Sequence, residues 1–328
     1  MAILNPSNGK VDSSVSRIIK TEQHPRYNRD TYPTSPAPSD KNQERAFERE
    51  LADPLYCQDP ITESLYKIYS FNQERFDPTQ PTIVLLHAFG SSPTTRQGHE
   101  IGWELRQRFP KNLIIAIGSE GTKDVVVSRE WLNIAGHTTL ADIRRHCIHY
   151  ARAHYDIKRT TPVNLVGQSY GGILAYEVAS SIHSGYGVKV DRLALLATPS
   201  KPMRTSRFVT GLTRQELRVV LRRTTSNELF GMSKNAAEIL PKDLHTGSTQ
   251  RKLLSLIASA EVDIERLDPS IDITICSGEY DIISRFDLNN SSVKNRKNIE
   301  QIIVEGDVHS DFLSDTRFCG SLIDQSWS

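Results

Sequence analysis

Runs of four to seven mostly apolar residues recur along the chain from residue 61 onward. In Thr82-Ile83-Val84-Leu85-Leu86 and Leu113-Ile114-Ile115-Ala116-Ile117 the apolar residues are consecutive rather than alternate, the pattern of a strand covered on both faces. Val163-Asn164-Leu165-Val166, Leu193-Ala194-Leu195-Leu196, Ile271-Asp272-Ile273-Thr274-Ile275 and Gln301-Ile302-Ile303-Val304 repeat the signature, and Leu65 to Phe71 reads as a first strand. Between strands the period becomes helical. Leu140, Ile143, Cys147, Tyr150 and Ala151 share one face of a helix from Thr139 to Tyr155, with Thr139 and Asp142 spaced as a capping box. Another helix opens at Gly171 and carries Ile173, Leu174, Ala175, Val178 and Ala179. Strands alternating with helices predict an α/β protein, a mostly parallel doubly wound sheet with helices on both faces.

Two stretches depart from this alternation. Residues 1–60 hold seven of the sixteen prolines and no long apolar period, which predicts a mostly disordered N-terminal tail before a domain spanning 61–328. Residues 201–262 contain the capping box Thr213-Arg214-Gln215-Glu216 and further helical pieces from Ser233 to Leu240 and Thr249 to Ala260. They predict a helical cap inserted between late strands, over the C-terminal edge where open α/β sheets bind ligands. Leu217, Val220, Leu221, Leu253, Leu254, Leu256 and Ile257 exceed what three short helices need for mutual packing, so part of the cap is expected to line an acyl pocket.

Charge and composition narrow the function. Forty Lys and Arg against thirty-nine Asp and Glu give a net charge of +1 in 328 residues, which argues against a general nucleic-acid binder or a polybasic membrane protein. No apolar run approaches the ~20 residues of a membrane span. The opening Met1-Ala2-Ile3-Leu4-Asn5-Pro6 lacks the features of a secretory signal. The four cysteines Cys57, Cys147, Cys276 and Cys319 are scattered, so reduced thiols and a cytoplasmic location are expected. There is no His-Glu-x-x-His, Cys-x-x-Cys, phosphate loop or dinucleotide fingerprint. No metal or organic cofactor is therefore expected, and the expected partner is a small-molecule substrate.

The chemistry concentrates at Gly167-Gln168-Ser169-Tyr170-Gly171. This G-x-S-x-G directly follows one apolar strand and opens a helix, the setting of a nucleophile elbow. Glycines two residues either side of Ser169 let strand and helix crowd together. The turn then lifts the hydroxyl clear of the sheet and aims the N–H groups of a helix start at a developing oxyanion.

On these residues the chain from 61 to its end resembles the α/β-hydrolase superfamily. The stretch Val166 to Ala179 is similar to thioesterases of polyketide and nonribosomal peptide pathways. The resemblance implies a Ser–Asp–His order of catalytic residues. Asp281, after the strand ending at Ile275, takes the acid position, with Glu279 and Asp287 as nearest rivals. His309, after the strand ending at Val304, takes the base position. Leu86-His87-Ala88-Phe89-Gly90 matches the family's oxyanion loop, with Ala88 in place of its glycine. The Phe89 and Tyr170 amides are then the implied oxyanion donors, with His87 bracing the loop. Gly118-Ser119-Glu120-Gly121 departs from the family's Asp-x-x-Gly-x-Gly and receives no role.

The resemblance implies a serine hydrolase cleaving a carboxylic ester or thioester through an acyl-enzyme on Ser169. An acyltransferase with the same triad, an aminopeptidase and a C–C-bond hydrolase remain open, as does a non-catalytic receptor or scaffold.

Overall fold

The computed structural model describes the backbone of residues 15–19 and residues 51, 53–88, 91–120, 122–180, 188–200, 252, 255–257, 259–279, 281, 284, 296–305, 307, 313 and 315–328. The strands are β1 (Val15–Ile19), β2 (Leu55–Gln58), β3 (Leu65–Ser70), β4 (Thr82–Leu86), β5 (Ile114–Ile117), β6 (Val125–Val126), β7 (Val163–Gln168), β8 (Val190–Leu196), β9 (Asp272–Gly278) and β10 (Ile299–Val304). They form one sheet in the order β1-β10-β9-β8-β7-β4-β5-β3-β2, with β6 beside β3. The pairings from β1 through β5 along this path are parallel. Strand β3 runs antiparallel to β2, β5 and β6.

Continuous apolar strands have two faces to cover, and helices cover both. Val84, Leu86, Ile115 and Ile117 point into one core, shared with helices α2 (Arg129–Ile134), α3 (His137–His154) and α4 (Tyr170–Ser180). Ile83, Leu85, Ile114 and Ala116 point into the other. There α1 (Arg96–Arg108) and α5 (Thr316–Trp327) pack together through Ile101, Leu105, Phe318 and Leu322. Thr95 caps α1 by accepting from the Gly98 N–H at 3.4 Å, and Asp315 caps α5 by accepting from the Phe318 N–H at 3.0 Å. No helix among the described residues is long and apolar enough to cross a membrane.

Some of these expectations change. The helix read from Thr139 begins at His137 with Gly136 as its N-cap and no side-chain cap. Thr139 lies inside it, and Asp142 instead pairs with Arg145 at 2.7 Å. Tyr150, placed on the apolar face by spacing, is exposed, whereas Arg144, Arg145 and Arg152 are buried. Strands β1 and β2 also fall within the segment read as a tail. Both are sheet edges needing only one partner strand, and both are too short to stand out as periods among the prolines. Leu51 and Cys57 from the same segment join the core. Of the expected cap, 252, 255–257 and 259–262 are described and the rest lies outside. Leu256 is buried and Ile257 packs against the first core.

Candidate active site

Strand β7 hands over to α4 through one residue, Ser169. Its φ is 48°, in the left-handed region that L-residues adopt at a cost of about 1–3 kcal/mol. Surrounding contacts hold it there. The Ser169 N–H donates to the Leu196 carbonyl on the neighbouring strand at 2.8 Å, and the Gly172 N–H donates to the Ser169 carbonyl at 2.9 Å. The glycines are required by crowding: a Cβ on Gly171 would fall 2.1 Å from the Leu86 carbonyl oxygen, and one on Gly167 would fall 2.4 Å from Gly172 Cα. Tyr170 is the first residue of α4, so its N–H has no acceptor within the helix.

Strand β9 lies two places from β7 in the sheet, about 10 Å away at ordinary strand spacing. The turn after it carries Asp281, whose N–H donates to the Gly278 carbonyl at 3.1 Å. Asp281 is 1% exposed, and its carboxylate accepts from the Ser284 N–H at 3.2 Å and from the Ser284 hydroxyl. Its rival Glu279 is exposed; Asp287 lies outside the described residues. The loop after β10 touches this turn, since a Cβ on Gly278 would sit 2.3 Å from the Asp307 carbonyl oxygen. Asp307, two residues before the expected base in the sequence, therefore lies against the end of β9. His309 lies outside the described residues, as does Phe89. The segment expected to form the oxyanion loop is described to Ala88, whose carbonyl accepts from the Ser91 N–H at 3.0 Å.

His87 is 1% exposed and Gln168 is fully buried. Neither ring nitrogen of His87 and neither amide atom of Gln168 has a hydrogen-bond partner among the described residues. Burial drives the His87 pKa from 6.5 down to about 3. His87 is thus neutral near pH 7, as suits a brace and not a proton carrier. Protonation disfavours the folded state, so the stability held above pH 6.5 is lost progressively as pH falls toward 3, by up to about 4 kcal/mol. His87→Gln should flatten this acid limb of a denaturation series; an unchanged limb would exclude His87 as its source.

Beneath Tyr170 lies a charged cluster that the sequence did not disclose. Both Glu120 oxygens accept from Arg144 Nη2, at 2.8 and 2.7 Å. The Tyr66 hydroxyl donates to Glu120 at 3.1 Å, and the Arg144 guanidinium stands 4.8 Å from the Tyr66 ring centroid. Glu120 and Arg144 are each 1% exposed. Burial is the largest single influence and works against the Arg144 charge, but Glu120 together with Tyr66, Cys147 and Tyr170 outweighs it, and the net effect raises the pKa. Burial and then the Glu120 charge push the Tyr170 hydroxyl well above its ordinary range. Glu120 belongs to the four residues that departed from the family motif, and Arg144 to a helix face read as apolar. An arginine amid apolar helical positions was the available signal.

No protein-family model matches the chain, and no curated protein matches it in sequence. Solved structures do. A thermophilic esterase from Thermogutta terrifontis superposes with a TM-score of 0.59 at 16% identity, covering 84% of this chain and 98% of that one. The thioesterase domain from the curacin biosynthetic pathway gives 0.51 at 14%, covering 83% and 98%. The bottromycin epimerase gives 0.55 at 14%, covering 84% and 100%. With the strand order, the two helical layers and the serine turn, these likenesses identify the fold: the chain has the α/β-hydrolase fold.

Proposed function

We propose that the protein is a serine hydrolase that cleaves carboxylic esters or thioesters through an acyl-enzyme on Ser169. The observation that carries this reading is the left-handed Ser169 at the β7–α4 junction, a costly conformation held by an interstrand hydrogen bond and by glycines that nothing larger could replace. In this mechanism Ser169 Oγ attacks the carbonyl carbon while His309 takes its proton. The amides of Tyr170 and Phe89 receive the oxyanion, and the alcohol or thiol leaves with a proton from His309. Water then enters by the same route and releases the acid. The burial of Asp281 and the closeness of Gly278 to Asp307, two residues before His309 in the sequence, support its role as the group orienting His309. Asp281 is further favoured by the chain after β8, Ala197-Thr198-Pro199-Ser200, which offers no acid.

An esterase and a thioesterase domain share the architecture, which supports ester chemistry, while the epimerase shows that the fold also serves other reactions. A fluorophosphonate probe decides between them. It should label Ser169 alone, and Ser169→Ala should abolish both labelling and turnover of p-nitrophenyl esters and acyl-thioesters. Labelling that survives the substitution would refute the assignment of the nucleophile.

A further inference from the structure

Cys57 stands on β2 directly opposite Tyr66 on β3, so both side chains leave the sheet on the same face, with Cβ atoms about 5 Å apart. The Arg144 guanidinium lies over the Tyr66 ring, and Arg144 precedes Cys147 by three residues on α3, which places both on one side of that helix. Strand β2 packs against α3. Cys57 and Cys147 are 1% and 0% exposed within the same core. The two thiols therefore meet in one layer between the edge strand and the helix. Their environments differ. Cys147 is the strongest influence on the Cys57 thiol and draws its pKa below the ordinary value, while burial pushes the Cys147 thiol well up. One member of the pair is inclined to ionise and the other to keep its proton.

We propose that Cys57 and Cys147 form a modification site, a buried dithiol that a peroxide converts into a disulfide joining β2 to α3. The Cys57 thiolate attacks one peroxide oxygen. A sulfur–oxygen bond forms, the oxygen–oxygen bond breaks, and hydroxide leaves and takes up the proton released from Cys57. Cys147 then attacks the sulfenic sulfur. The sulfur–sulfur bond forms, the sulfur–oxygen bond breaks, and its oxygen departs as water with the Cys147 proton. Two thiols and one hydrogen peroxide give one disulfide and two waters. Access comes from the strand itself: β2 is four residues long, has β3 as its strand partner, and carries exposed Tyr56 and Gln58 on either side of Cys57. A short edge strand is among the first elements to open locally. Cys276 and Cys319 lie in the opposite core, across the sheet from this pair. Cys276 sits on β9, which is paired on both sides, and Cys319 on α5, so neither is reached through a short edge strand and both are expected to stay reduced.

The test is to treat the full chain with hydrogen peroxide, unfold it in N-ethylmaleimide, digest it without reductant and analyse the peptides by mass spectrometry. A Cys57–Cys147 cross-linked peptide is expected, two hydrogens lighter than its parts and separated by dithiothreitol, with Cys276 and Cys319 alkylated. Because the bridge closes a long loop, the oxidised protein should melt about 5 °C or more above the reduced one. In Cys147→Ser the cross-link should vanish and Cys57 should react with dimedone as a sulfenic acid. Recovery of both Cys57 and Cys147 as maleimide adducts after peroxide overturns the proposal. So does a bridge from Cys57 to Cys276 or Cys319. Both outcomes are read on the unaltered protein, whatever the folding of the variant.

Discussion

Asp281→Asn is expected to lower kcat by about 10⁴-fold, the loss that follows when a triad acid can no longer hold the imidazole in its working tautomer. The fold should tolerate the change. Asparagine keeps an oxygen to accept from the Ser284 N–H, and the Ser284 hydroxyl that donates to the carboxylate is free to rotate and accept from the new amide. The melting temperature should therefore shift far less than the rate. Steady-state kinetics on an ester that the unaltered protein hydrolyses provides the measurement, with Glu279→Gln and Asp287→Asn as comparisons. If Asp287→Asn produced the large loss and Asp281→Asn less than tenfold, the acid would be Asp287.

Arg144→Ala should be the most destabilising single change outside the reacting groups. It would strand the Glu120 carboxylate at 1% exposure with the Tyr66 hydroxyl at 3.1 Å but without its counter-ion. Breaking one side of a buried ion pair costs about 3–5 kcal/mol, which for a chain of this size lowers Tm by roughly 5–10 °C. Removing both charges, as Glu120→Gln with Arg144→Met, should cost less than the single change, because no unpaired charge is left behind. Thermal unfolding of the two variants tests this. A double variant less stable than Arg144→Ala would show that the pair stabilises by its attraction and not merely by mutual neutralisation.

The central sheet was legible because its strands are covered on both faces. Such strands are apolar at every position, so Ile83 to Leu86 or Ile114 to Ile117 cannot be mistaken for surface. The serine turn was equally legible, because Gly167 and Gly171 answer contacts that leave no room for a Cβ. What escaped had a weaker local signature. Val15–Ile19 is an edge whose partner β10 lies far along the chain, and Leu55–Gln58, although it pairs with the nearby β3, is only four residues long. Thr139 and Asp142 have capping spacing, but the helix started earlier, at His137, and Asp142 was taken by Arg145. Tyr150 is exposed where its spacing predicted burial, and Arg144 is buried because Glu120, brought in by the loop after β5, pairs with its guanidinium. A tertiary partner of this kind leaves no period in the sequence around Arg144.

The sheet's outermost pairing also has consequences in time. Val15 sits beside Glu300, 285 residues (300 − 15) later in the chain. During synthesis at about 5–20 residues per second, β1 emerges roughly 15–60 s before the strand it pairs with. The eight strands between them in the chain can assemble first, so this edge is expected to zip last. A ribosome that stops short of residue 299 would release a chain whose β1 has nothing to pair with. Such truncated products would carry an unclaimed strand near their N-terminus, open to pairing with other chains.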